Sequence, residues 1–234
     1  MCGRFTLRTP ATVLIEQFQL SVDRGRQLAP FEPRYNIAPA QDVVVVRVME
    51  EGGPRDAAAL RWGLIPSWAK EPQGGPPMIN ARSETLAEKP TFRTAFRRRR
   101  CLIPADGFYE WQSAGAGRGK KQPFYVHFRD DRPFAFAGLW EKWSADPLTI
   151  ESCTIVTTSA SPALESLHER MPVILDPSDY DQWLDPAAQE PSAVAHLLVP
   201  CTDQELIAEP VSTHVNRVAN DDPHCVAVQR TLFE

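Results

Sequence analysis

Cys2 carries the most distinctive chemistry in this 234-residue chain. Removal of Met1, normal when the second residue is small, leaves a cysteine with a free α-amine and a thiol on neighbouring carbons. Such an amine has a pKa of about 8, against about 10.4 for lysine, so a substantial fraction is unprotonated near neutral pH. Aldehydes are the natural target of this 1,2-aminothiol. The amine forms a Schiff base, and the thiol then closes onto the imine carbon to make a five-membered thiazolidine. The same pair can instead cleave an amide, as N-terminal nucleophile hydrolases do. By position alone Cys2 is also readable as a chance cysteine at a frayed terminus.

Cys201, His214, His224 and Cys225 raise the question of zinc, but adjacent His224 and Cys225 reproduce neither usual paired-ligand spacing. No metal and no cofactor are expected. No Walker loop, Gly-x-Gly-x-x-Gly or Gly-x-Ser-x-Gly motif occurs, which leaves nucleotide hydrolysis, dinucleotide binding and serine esterase chemistry without support. Arg93, Arg97, Arg98, Arg99 and Arg100, with Arg118, Lys120 and Lys121 close behind, read either as a solvated turn or as a phosphate-contacting rim.

The chain that must position these groups has an ordinary globular composition, 43% apolar and 24% charged. Five scattered cysteines without a Cys-x-x-Cys pair fit free thiols in a reducing compartment. The aliphatic run Val43 to Val46 is far too short to span a bilayer, and no secretory signal is recognisable, so a cytoplasmic protein with no membrane partner is expected. Net charge is −5, from 25 basic and 30 acidic residues, which argues against indiscriminate coating of nucleic acid and leaves room for a local basic groove.

Twenty-two prolines against 12 glycines favour short strands and fixed loops over a helical bundle. Thr9 is expected to cap a helix over 11–20, with Val13, Leu14, Phe18 and Leu20 as its apolar stripe. Further helices are expected over 161–168, 177–184 and 193–198, the middle one opened by Asp176 to Ser178. Strands are expected over 43–48, 101–105, 124–128, 134–139 and 153–158, where β-branched or aromatic runs are bounded by Pro, Gly or Asp. Segments 50–56, 70–77 and 113–119 read as surface loops. The sum is an α+β protein with one domain over 1–234, or 2–234 after Met1 removal.

Six separated segments carry a resemblance. They are Met1-Cys2-Gly3-Arg4-Phe5, Arg34-Tyr35-Asn36-Ile37-Ala38-Pro39, Trp62-Gly63-Leu64-Ile65-Pro66-Ser67-Trp68, Ile79-Asn80-Ala81-Arg82-Ser83-Glu84-Thr85, Asp106-Gly107-Phe108-Tyr109-Glu110-Trp111 and Leu167-His168-Glu169-Arg170. In this order they resemble the SOS response-associated peptidase family, and the likeness runs from Cys2 to the Pro210-Val211-Ser212 segment. It implies a single domain with a twisted, partly barrel-like, mainly antiparallel sheet flanked by short helices. It also implies a DNA-damage role as a monomer. Cys2 captures the ring-opened aldehyde of an abasic site in single-stranded DNA, first by its amine and then by its sulfur, in the cytoplasm and on the nucleoid when bound to damaged DNA.

On this resemblance Glu110 moves a proton to and from the sugar ring oxygen, His168 shuttles the proton for ring closure, and Asn80 orients the Cys2 backbone or the sugar. Arg4, Arg82 and Arg170 contact flanking phosphates, while Trp68 and the Asn36 to Pro39 loop stack against or wedge between bases. Ala69 stands where a second aromatic would strengthen that platform. The alternative is a cysteine peptidase, acting on itself or on other proteins through Cys2 and His168 with Asn80 as orienter.

Overall fold

The computed structural model describes residues 2–21, 32–72, 75–112 and 121–229. The expected loop over 113–119 and residues 73–74 of the expected loop over 70–77 lie outside them.

Among the described residues thirteen strands form two sheets: β1 (Phe5–Leu7), β2 (Arg34–Ile37), β3 (Asp42–Val48), β4 (Arg55–Trp62), β5 (Asn80–Arg82), β6 (Arg100–Ala105), β7 (Gly107–Gln112), β8 (Gln122–Phe128), β9 (Phe134–Ala145), β10 (Leu148–Ser159), β11 (Arg170–Pro172), β12 (Ile174–Leu175) and β13 (Leu206–Pro210). Every strand foreseen from the sequence is present, and β10 is longer than its expected core because it pairs with β9 along a hairpin from Leu148↔Ala145 to Ile155↔Gly138. In the larger sheet β10, β4, β3, β6 and β9 follow one another, and the β9–β10 pairing returns the path to its start, closing a small barrel without free edges. The smaller sheet runs β13-β8-β7-β1-β2. Pairing is antiparallel except where β10 runs parallel to β4 and β5.

The two sheets are joined at Asp106, where β6 of the barrel passes directly into β7. Its buried carboxylate accepts from the backbone N–H groups of Arg8 and Thr9 and from the Thr9 hydroxyl. Thr9 is thereby drawn away from the expected capping role, and α1 (Ala11–Gln17) starts after Pro10 with no side-chain cap. This helix ends early, at a left-handed Gln19. Leu14 and Phe18 face the core, whereas Val13 is exposed. The core is shared: Phe5 of β1 meets the barrel residues Trp62 and Phe136 edge-on at 5.1 and 5.8 Å.

The remaining helices are short: α2 (Arg93–Arg98) and α3 (Tyr180–Leu184), the latter preceded by a 3-10 turn whose Asp176 caps it as the sequence indicates. Segment 193–198 forms 3-10 turns. The helix expected over 161–168 is replaced by turns, because Ala160 N–H donates to the Glu169 carbonyl and draws the chain back into β11 beside β10. The arginine run also divides. Buried Arg100 donates to the carbonyls of Phe96, Arg97, Trp183 and Asp185, tying together the ends of α2 and α3, and Arg99 pairs with Glu141. Only Arg93, Arg97 and Arg98 of this run are exposed. Among the described residues no helix is long and apolar enough to cross a membrane.

Candidate active site

Pairing of β1 with β7 sets the path of the first residues. Phe5 lies opposite Phe108, and the Tyr109 N–H donates to the Arg4 carbonyl at 3.0 Å, so residues 2–4 run alongside the second half of β7. Cys2 is completely buried there. Its Sγ–H points to the Arg4 carbonyl at 3.7 Å, and Glu110 of β7, itself only 5% exposed, lies close enough to act on the thiol. Burial, and then the Glu110 charge, hold that thiol well above the usual cysteine range.

The second wall comes from the larger sheet. Its β5 runs parallel to β10, with Ile155 opposite Asn80, and the entry to β5 is fixed by the Ile79 carbonyl, which accepts from Trp62 Nε1 at 2.9 Å and from the Ile155 N–H at 3.0 Å. So held, Asn80 Nδ2 donates to the Cys2 carbonyl at 2.8 Å. The structure thus brings together Cys2, Asn80 and Glu110 at the seam between barrel and second sheet.

His168 sits half-buried at the end of the 161–168 turns. Its Nδ1 accepts the Arg170 N–H at 3.0 Å, which leaves Nε2 as the nitrogen available to other groups. Gln112 Nε2 donates to the Ser166 carbonyl at 3.4 Å. Since Gln112 shares a face of β7 with Glu110, this contact lays the His168 turn against the end of the strand that carries Glu110.

The arginines differ in what they already hold. Arg82 is exposed. Arg170 forks onto Glu84 at 2.9 and 3.0 Å and reaches the Thr157 carbonyl at 2.7 Å, so its donors serve β10 and the turn after β5. Arg4 Nη1 donates to Asn36 Oδ1 at 2.8 Å and to the Val215 carbonyl at 3.0 Å, with the guanidinium 5.9 Å from the Trp111 ring centroid. Trp68 is 65% exposed, on a turn anchored by Trp143 Nε1, which donates to the Ala69 carbonyl. Pro39 is half-buried in the turn between β2 and β3.

Asn36 corrects the expected wedge. It is fully buried within β2, because pairing of β2 with β1 carries it beneath the segment 211–229. There its Nδ2 donates to the carbonyls of Val215, Arg217 and Asn220. Asn36 therefore holds Arg4 and the C-terminal segment rather than meeting a base. That segment is the part of the frame that sequence reasoning missed. Asp221 accepts from the Tyr35 and Asn36 N–H groups, and Asn216 Oδ1 accepts from Trp111 Nε1 at 2.7 Å.

A buried cysteine beside a buried glutamate, its carbonyl held by an asparagine of the other sheet, is the group of sequence-predicted residues that the fold brings together. A family profile described as SOS response associated peptidase (SRAP) matches residues 1–218. The chain belongs to that family. It is 40% identical over 227 residues to the abasic site processing protein YoqW of Bacillus subtilis, covering 97% of this chain and 99% of that protein. To the chicken (Gallus gallus) abasic site processing protein HMCES it is 31% identical over 266 residues, 97% of this chain and 77% of that one. A crystal structure from Bacteroides thetaiotaomicron shares the fold, with a TM-score of 0.82 at 24% identity over 99% of this chain and 100% of that one. A phage-related protein of Bordetella bronchiseptica gives a TM-score of 0.70 at 29% identity over 90% of this chain and 94% of that one.

Proposed function

We propose that this protein captures abasic sites in single-stranded DNA as a covalent thiazolidine cross-link through Cys2. The proposal draws on relatives named for abasic site processing. The observation that carries it is the geometry around Cys2, completely buried beside Glu110 with its carbonyl held by Asn80 at 2.8 Å, where burial pushes the thiol up. A cysteine peptidase needs the reverse, a depressed thiol that attacks as thiolate. Here the amine exposed by loss of Met1 is the first nucleophile.

Each step balances. As the closed sugar opens to its aldehyde, Glu110 delivers a proton to the ring oxygen and recovers one from the anomeric hydroxyl. The amine adds to that carbon, and loss of one water gives the imine. The thiol then adds to the same carbon, its proton moving through Glu110 or His168 to the former imine nitrogen. Asn80 keeps the Cys2 backbone fixed throughout, so amine and sulfur meet one carbon from set directions. Exposed Arg82 and Trp68 supply phosphate and base contacts. Arg4 and Arg170, already joined to protein acceptors, act on DNA chiefly through the surfaces they hold in place.

Intact-mass analysis after incubation with a single-stranded oligonucleotide bearing one abasic site tests this. The expected product is protein lacking Met1, joined to DNA with one water lost, stable to denaturation and mapping to Cys2. A processed protein that forms no adduct with intact abasic DNA would overturn the proposal.

A further inference from the structure

We propose that His214, Asp222 and Cys225 form a binding site for a divalent cation of borderline softness, zinc by the chemistry of its donors. One imidazole nitrogen, one carboxylate oxygen and one sulfur lie within 4.8 Å of one another. Their spacing in sequence matches no familiar zinc motif. They are brought together by two consecutive 3-10 turns, Thr213–Asn216 and Pro223–Val226.

Nitrogen, oxygen and thiolate sulfur are zinc's ordinary donors, and bonds of about 2.0–2.3 Å place tetrahedral donors roughly 3.3–3.8 Å apart. Closing the trio therefore takes about 1 Å of side-chain movement, with water in the fourth position. The backbone of both turns is already set. Ser212 Oγ accepts from the His214 N–H and Asp222 Oδ1 from the His224 N–H, while the base of the segment is closed by a Val211↔Val228 bridge.

Charge favours a cation. Asp221 is matched by Arg34, but among the described residues Asp222 has only His214 and His224 as possible cationic partners. Cys225, unlike Cys101 and Cys153 within their strands, is buried facing a polar group, its Sγ 3.3 Å from the Asn220 carbonyl. On loading, Cys225 binds as thiolate and releases its proton to solvent. His214 binds through Nε2 as the neutral ring with its one proton on Nδ1, from which the Asn220 amide, now at 3.1 Å, turns away, and Asp222 exchanges the imidazole nitrogen, now at 2.9 Å, for the metal.

The consequence reaches the N-terminus, because the Val215 carbonyl between these ligands accepts from Arg4 and Asn36. An ion here would fasten the turns that frame the first residues of the chain.

The test is titration of the full-length, chelator-stripped, reduced protein with Co2+, then displacement by Zn2+. The expected spectrum has a charge-transfer band of one thiolate and visible bands of four-coordinate intensity. Cys225→Ser should abolish the charge-transfer band. His214→Gln, a change at a partly exposed side chain that leaves the core intact, should weaken binding more than about 100-fold, beyond the loss of an outer-shell partner. Cys2→Ala and His224→Gln should keep the wild-type spectrum. A wild-type titration without a thiolate band overturns the site, as does a band that survives Cys225→Ser or is lost in Cys2→Ala or His224→Gln.

Discussion

Asn80 and Cys2 are joined by one hydrogen bond across 78 residues of sequence, from the side-chain amide of β5 to the backbone carbonyl of Cys2. The bond ties the larger sheet directly to Cys2. Asn80→Ala removes it while keeping the backbone of β5. Capture of abasic DNA is expected to slow about 10-fold or more, equivalent to about 1.4 kcal/mol, with little change in thermal midpoint. Unchanged single-turnover rates would show that β1 and β7 alone suffice to aim Cys2.

Glu110→Gln conserves volume and removes the charge that raises the thiol. The Cys2 sulfur then titrates at lower pH than in the wild type, still above an ordinary cysteine because burial, the larger cause, remains. Alkylation of Cys2 is expected to rise at a given alkaline pH while cross-linking falls about 100-fold or more. Parallel pH profiles of alkylation in the two proteins would refute the contact.

Cys2→Ser separates amine from sulfur. Hydride reduction should trap its imine with abasic DNA, and without reduction the adduct should reverse on denaturation. An adduct as durable as that of the wild type would remove the thiazolidine step.

Arg100→Met replaces the guanidinium that four carbonyls share. Leaving those buried acceptors without their donor is expected to cost about 3 kcal/mol, a fall of about 2–4 °C in Tm per kcal/mol for a chain of this size. Differential scanning calorimetry reads it directly.

Arg170 holds the Glu84 carboxyl below its usual range through the hydrogen bonds between them. A depressed carboxylate contributes stability above its unfolded pKa, about 4.3, and that contribution is lost as pH falls through the lower folded value. With Glu84 half exposed the pair is worth under about 1 kcal/mol at neutral pH. Glu84→Gln should be slightly less stable at neutral pH and match the wild type in acid; a constant gap in urea titrations across that range would contradict it.

Aromatic and β-branched runs made the barrel strands legible, since such residues suit a pleated, buried surface. Strand β4 was not, because Ala57, Ala58 and Ala59 carry no strand preference and are extended by pairing with Val46, Val45 and Val44 of β3, while β10 pairs further along, at Arg61 and Trp62. The motif segments pointed to Cys2, Asn80 and Glu110, which converge in space. Asn36 and Arg100 were misjudged for one reason: a polar side chain in a sequence gives no sign of whether its partners are water or buried carbonyls. The hold on Arg4 by the Val215 carbonyl was invisible because it spans 211 positions.

That last contact sets an order on synthesis. The strand behind Cys2 is synthesised before the carbonyls that hold Arg4 and Asn36, which belong to residues 215–220, the Val215 carbonyl following Arg4 by 211 positions. A nascent chain, or one cut short before Val215, therefore carries Cys2 without the frame that holds its neighbour Arg4.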